Sequence, residues 1–272
     1  IYTLSLHDAL PIYELCFLNS YDLFKITDRD VMFAITNHCH DMALFDTFAM
    51  FMGGASVTVV DEKDWMNPFA WNRLMINSGV TMWNSVPSFM QLFLDVLKND
   101  ADRALKGLRV LIHGGDYFTA GEAEQLRRMA PDLRLFNVGG PSETTIWSIA
   151  HPITDEDIAN GEIPYGKPLP GSTYYVLNEC HELCPVGVEG ELYIGGSHVT
   201  DGYLEKGQNT GKFIISPKGK RYFRCGDRGY TSKSGSIIFR GRKDNQVKLN
   251  GKRIELDGIS SCAVETGKVN AA

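Results

Sequence analysis

The chain has 272 residues, 43% of them hydrophobic and 22% charged, which suits one large or two modest domains of ordinary soluble composition. A formal net charge of −6 without a basic stripe gives no footprint for nucleic acid or an anionic membrane surface, and no apolar run reaches the length of a membrane span. Six scattered cysteines, Cys16, Cys39, Cys180, Cys184, Cys225 and Cys262, form no disulfide framework, so a reducing, cytoplasmic setting is expected.

Residues 1–12 have neither the basic start nor the apolar core of a secretory signal and are similar to a translated sequencing adapter, so they are expected to be non-native. From Asp46 to Val138 strands and helices alternate. Residues 56–60 are a short β-branched run, and Asn67-Pro68 supplies a helix N-cap and first position ahead of residues 69–76. Residues 80–83 follow as a strand. Pro87 opens a helix in which Phe89, Met90, Phe93, Leu94 and Leu97 recur at helical spacing, and residues 108–112 return as strand. Thr119-Ala120-Gly121-Glu122 has the form of a capping box, and Pro131 ends the helix behind it. Such alternation predicts a parallel sheet covered on both faces.

The strand at residues 133–136 runs into Asn137-Val138-Gly139-Gly140-Pro141-Ser142-Glu143-Thr144-Thr145-Ile146-Trp147, where two glycines and a proline forbid its continuation. A turn at the carboxyl end of a parallel strand is where open α/β sheets bind ligands. The hydroxyls of Ser142, Thr144 and Thr145 with the Glu143 carboxylate suit a phosphate and its magnesium ion, although an ordinary strand-to-loop connection would read the same way.

Beyond about residue 153 the pattern changes to short strands at 173–177, 191–194, 212–215 and 236–240, and helical periodicity disappears. Cys180-His181-Glu182-Leu183-Cys184 lacks a second ligand pair at zinc-site spacing and reads as a turn between strands. Residues 246–249 and 252–256 flank Asn250-Gly251, a strong hairpin signal.

The glycine-rich turn resembles the Tyr-Gly-Pro-Thr-Glu signature of adenylate-forming enzymes, in particular the amino-acid adenylation domains of non-ribosomal peptide synthetases. Further motifs match in the same order: Gly190-Glu191-Leu192-Tyr193-Ile194-Gly195-Gly196 continuing to Gly202-Tyr203-Leu204, then Cys225-Gly226-Asp227, then Gly241-Arg242-Lys243-Asp244-Asn245-Gln246-Val247-Lys248. The resemblance covers about residues 13–256. It implies an α/β fold, a partial parallel-sheet core at residues 13–152, a smaller β-rich subdomain at 153–240, and a hinge hairpin at 241–272. The phosphate loop expected upstream and the lysine-bearing domain expected downstream have no counterpart, so the chain is expected to be a fragment of an ATP-dependent ligase, inactive alone.

By the same resemblance, Glu143 is catalytic and holds Mg2+, and Thr144 lies by the α-phosphate. The nucleotide is met by Gly139, Gly140, Pro141, Ser142 and Thr144, with Asp227 on the ribose hydroxyls and Arg242 nearby. Asp244 is the hinge. His38-Cys39-His40-Asp41 has the look of a metal cluster, but alignment through Phe48 and Gly54 makes Asp41 the partner of the substrate α-amino group. The amino-acid pocket then comprises Asp41, Met42, Phe45, Asn84, Ile112, Gly114, Val138, Ile146 and Trp147. For Ile112, Val138 and Ile146 a plain core role fits equally well.

The combination of Asp41, an aromatic at 45, Asn84 and Ile146-Trp147 is similar to cysteine-activating domains, which implies cysteine, or else glycine or alanine, as substrate. ATP and Mg2+ are the implied cofactors, with phosphopantetheine on a partner peptidyl carrier protein. The alternatives are an acyl-CoA or aryl-acid ligase of the same superfamily and a catalytically silent protein-binding scaffold. Four positions depart from the pattern: Gly139 replaces an aromatic residue, Cys225 a threonine and Asp201 an arginine, and Asp257-Gly258 disrupts the end of the hinge motif.

Overall fold

A computed structural model describes residues 6–243, 246–249, 252–255, 259, 262 and 263. Its larger sheet has seven strands in the order β2-β1-β3-β4-β5-β6-β7: β1 Val31–Ala34, β2 Ser56–Val59, β3 Met82–Ser85, β4 Val110–His113, β5 Arg134–Gly139, β6 Ile149–Pro152 and β7 Lys167–Pro168. The pairs from β2 through β5 are parallel, and β6 and β7 add antiparallel edges. The sheet is therefore mixed where the alternating pattern predicts only parallel strands.

Period-2 alternation sorts the strand residues onto two faces. Phe33, Trp83, Leu111 and Leu135 enter one core cluster, and Met32, Met82, Val110, Ile112, Phe136 and Val138 enter the other. Helices Pro68–Ser78, Pro87–Leu97 and Ala120–Met129 lie where the sequence places them. Asn67 caps the first by accepting from the Ala70 N–H at 3.3 Å, and Thr119 and Glu122 form the reciprocal capping box of the third.

Helix Leu6–Phe24, strand β1 and the π-turn Phe45–Ala49 carried no recognisable signal. The helix begins inside the stretch read as non-native and places Cys16, Phe17 and Phe24 in the second core cluster.

The smaller sheet is antiparallel, ordered β10-β11-β9-β8 with β12 also on β11: β8 Ser172–Leu177, β9 Gly190–Gly196, β10 Phe213–Ile215, β11 Arg221–Thr231 and β12 Ile237–Arg242. Helical structure does not vanish after residue 153. Helix Asp155–Asn160 forms there because Thr154 and Asp157 make a capping box and Gly161 closes it at φ 72°. Gln246–Leu249 (β13) and Lys252–Glu255 (β14) pair antiparallel, while Asp244, Asn250 and Gly251 lie outside the described residues. No helix among the described residues is long and apolar enough to cross a membrane.

Candidate functional site

Strands β3, β4 and β5 run in the same direction and end together at Ser85, His113 and Gly139. At that edge, a cavity of about 60 Å3 is lined by His40, Asp41, Met42, Gly114, Gly115, Val138, Gly139, Gly140, Ser142, Ile146 and Trp147. Six of the nine expected pocket residues thus line one cavity: Asp41, Met42, Gly114, Val138, Ile146 and Trp147. The other three are not among its lining residues. Ile112 is buried core, Phe45 is buried with its ring 4.7 Å from that of Trp147, and Asn84 is buried and donates to Asp46 Oδ1 at 2.7 Å.

The turn after β5 is built by close approach. A Cβ on Gly140 would sit 2.8 Å from the Ser148 nitrogen and 2.9 Å from the Trp147 Cα, so only glycine fits. A Cβ on Gly139 would fall inside the ring of the half-buried Tyr165, which accounts physically for the missing aromatic side chain at 139. Thr145 and Ile146 hold φ of 63° and 56°, a left-handed backbone that a β-branched residue rarely adopts outside a constrained site.

Asp41 meets this turn directly. Ser142 Oγ donates to its Oδ2 at 2.5 Å, and His40 Nδ1 lies 3.0 Å from its Oδ1. Burial alone would raise the Asp41 carboxyl, but the hydrogen bonds from His40 and Ser142 outweigh it and hold the group below the ordinary aspartate value. The carboxylate is thus ionised at the rim of a cavity with both polar and apolar walls. Behind the rim, His113 is buried against the Ser85 carbonyl, and burial pushes its imidazole down to about 4, so it adds no charge near neutral pH.

Glu143 is nearly buried; the Tyr203 hydroxyl donates to its Oε1, and its backbone carbonyl accepts from the Thr200 N–H at 2.9 Å. Tyr203 belongs to the Gly202-Tyr203-Leu204 motif, so two of the collinear motifs converge on this carboxylate. Thr144 is fully buried. Its hydroxyl donates to the Pro141 carbonyl at 3.0 Å and lies 3.1 Å from Ser148 Oγ, so Ser142 is the hydroxyl of the turn that faces solvent and cavity.

Asp227 lies within β11 at a register irregularity, opposite Arg242 of β12, whose Nη1 donates to Asp227 Oδ1 at 2.9 Å. Neither residue lines the small cavity, nor do Glu143 and Thr144. Among the described residues no group of three His, Cys, Asp or Glu side chains is placed to hold a metal ion, so His38-Cys39-His40-Asp41 does not form a cluster of that kind.

Sequence reasoning missed Tyr203, Tyr165, His40 and Asp46 as contributors. Tyr203 and His40 stood inside quoted stretches without a role, and His40 acts on its chain neighbour Asp41, while Tyr165 and Asp46 carry no local pattern and are brought in by tertiary contacts.

Residues 7–204 match the family described as AMP-binding enzyme. The chain is 34% identical over 256 residues to bacitracin synthase 1 of Bacillus licheniformis, covering 94% of this chain and 5% of that protein. It is 35% identical over 250 residues to the pyochelin synthetase PchF of Pseudomonas aeruginosa, covering 92% and 14%. The chain therefore spans a small part of the curated relatives it matches. Among solved structures it is similar to the adenylation domain AlmE of Vibrio cholerae in complex with glycyl-adenosine-5'-phosphate, with TM-score 0.83, 26% identity, and 93% of this chain and 48% of that one covered. It is also similar to the AMPPNP-bound non-ribosomal peptide synthetase FmoA3, with TM-score 0.79, 30% identity, and coverage of 86% and 25%.

Proposed function

We propose that this chain, which belongs to the AMP-binding enzyme family, is part of a cytoplasmic adenylation domain that activates a small neutral amino acid, cysteine before glycine or alanine, as its adenylate. The observation that carries this reading is a cavity of about 60 Å3 with the ionised Asp41 at its rim and Trp147 in its wall. A largely buried, ionised carboxylate suits an ammonium group, and so small a volume admits little side chain. A structural neighbour in complex with a glycyl adenylate supports a small substrate.

In the reaction proposed, an amino-acid carboxylate oxygen attacks the α-phosphorus of ATP and pyrophosphate leaves, so the protein must position two anions and neutralise the charge between them. Asp41 orients the amino end. Ser142 presents a hydroxyl to the phosphates beside backbone left open by Gly139 and Gly140. Asp227, an acceptor-only group anchored by Arg242, suits paired ribose hydroxyls. The donor set also fits Mg2+: one buried carboxylate, Glu143, oriented by Tyr203, is the protein ligand expected of an ion that takes its remaining oxygens from phosphate and water. Bound there, Mg2+ would neutralise developing phosphate charge. The adenylate would then pass to the phosphopantetheine thiol of a peptidyl carrier protein, with Asp244 as the hinge.

Amino-acid-dependent pyrophosphate exchange by the full-length protein bearing this sequence tests the reading. Exchange with cysteine, glycine or alanine is expected. A preference for aryl acids or plain fatty acids would favour the acyl-CoA or aryl-acid ligase alternative, which the charge at Asp41 disfavours. Intact Glu143 and Asp227 argue against a silent scaffold.

A further inference from the structure

The turn after β5 is held by residues outside its own sheet. In β8, Ser172 and Tyr174 stand two positions apart, so both side chains leave the same face of the strand. Each begins a chain of polar contacts that ends in the turn. The Tyr174 hydroxyl lies 2.8 Å from Ser148 Oγ, which lies 3.1 Å from Thr144 Oγ1, and Thr144 donates to the Pro141 carbonyl at 3.0 Å. That last bond uses the Thr144 proton, so the direction of the chain is fixed: Tyr174 donates to Ser148, and Ser148 donates to Thr144. The second chain starts at Ser172 Oγ, 2.8 Å from Nδ1 of the buried His198, whose carbonyl accepts from Thr145 Oγ1 at 3.0 Å. Ser148, Thr144 and Thr145 are buried as well. The two chains therefore reach adjacent residues of the turn. Thr145 and Ile146 hold a left-handed backbone at φ 63° and 56°, which persists only where the surroundings over-determine it, and these chains supply that constraint.

We propose that Tyr174 and Ser172 are positioning residues for adenylation, and that β8 braces the turn so that Ser142 and Glu143 meet the phosphates and their magnesium ion in one fixed arrangement. This rests on the reading of Glu143 as the magnesium ligand. Buried hydroxyls that donate and accept in series polarise one another, so removing one link loosens the whole chain. Glu143 lies directly beside Thr144, and its own carbonyl is gripped by the Thr200 N–H at 2.9 Å, two residues beyond His198. Slack at Thr144 and Thr145 is thus passed to the metal ligand. Misplacing a reacting group by about 1 Å can cost on the order of a hundredfold in rate, so the brace acts on turnover without touching substrate.

The test uses Tyr174→Phe, which removes one oxygen and keeps the ring packed against the core of the smaller sheet. In pyrophosphate exchange by the full-length protein, with rates divided by the burst of adenylate that counts active sites, kcat should fall on the order of tenfold. The amino-acid KM, set by Asp41 and the cavity wall, should stay within a few-fold. Calorimetry gives a readout independent of turnover: affinity for AMPPNP with magnesium should fall roughly tenfold in the variant, and affinity without magnesium should not change. Ser148→Ala should lose at least as much, and adding Tyr174→Phe to it should cost nothing further, because links in one chain do not add. Ser172→Ala should show the same pattern as Tyr174→Phe. Unchanged kcat and unchanged magnesium-dependent affinity in Tyr174→Phe would overturn the inference, whether or not Ser148→Ala folds. A lower thermal unfolding temperature with kcat per active site intact would also overturn it, by making β8 an ordinary packing partner. Equal AMPPNP affinity with and without magnesium in the unmutated protein would remove the premise about Glu143, and the inference with it.

Discussion

Ser142 Oγ donates to Asp41 Oδ2 across 2.5 Å, tying the turn after β5 to a loop 101 residues earlier in the chain. The group proposed to hold the substrate's ammonium is thus fixed by a group proposed to face the phosphates. Asp41→Asn should raise the amino-acid KM on the order of a hundredfold, since a charge-assisted contact becomes a neutral one in a dry site, while leaving the KM for ATP within a few-fold. Steady-state exchange kinetics with each substrate varied separately check this. A parallel rise in both KM values would place Asp41 in the architecture of the turn instead.

Glu143→Gln should lower kcat on the order of a hundredfold with little change in amino-acid binding. The glutamine keeps the size and can still accept from Tyr203, but it removes the charge that a magnesium ligand needs where negative charge develops. Calorimetric titration of the amino acid beside single-turnover adenylation separates the two effects. An unchanged turnover at saturating magnesium would rule Glu143 out as the ligand.

The helices with chemical punctuation were legible in the sequence because Asn67-Pro68, Pro87 and Thr119…Glu122 act within one turn of themselves. So was the bend at Gly139-Gly140-Pro141. The eleven-residue β11 was not, because Gly226 and a register shift interrupt its alternation around Asp227. The sequence-derived pocket includes Phe45, Asn84 and Ile112, which are buried and are not among the residues lining the cavity. A motif gives the order of residues along the chain; which of them line a cavity depends on contacts such as that of Met42 with Gly114, brought together from distant elements.

Two buried groups should pull stability in opposite directions between about pH 4.5 and 6.5. Asp46, raised to about 7 from an ordinary 3.8, keeps its proton in the folded state while the unfolded chain loses it, so it subtracts stability as pH rises through that interval. His113, lowered to about 4 from an ordinary 6.5, is neutral when folded while the unfolded chain still binds a proton, so it adds stability as pH rises through the same interval. Asp46→Asn removes the first effect and should unmask a gain on the order of 2–3 kcal/mol from pH 4.5 to 6.5. Urea unfolding of the purified chain across that range measures it. A variant whose pH profile matches that of the unmutated chain would show that Asp46 ionises normally.

Trp147 sets how much side chain the cavity accepts, and its position is unusually well determined. Its Nε1 donates to Ser20 Oγ at 2.8 Å, its ring lies edge-on to Phe45 at 4.7 Å and Phe24 at 6.1 Å, and it is 1% exposed. The indole cannot swing aside for a larger substrate without breaking contacts to helix Leu6–Phe24. Trp147→Ala should therefore open the wall and extend exchange activity toward leucine, methionine or phenylalanine, while lowering kcat/KM for cysteine by roughly 10- to 100-fold as apolar contact is lost. The same change removes a large core side chain and should destabilise the fold by about 3–5 kcal/mol, so thermal unfolding has to accompany the substrate panel. A destabilised variant that still prefers cysteine over larger residues would show that Trp147 supports the core and that some other group closes the pocket.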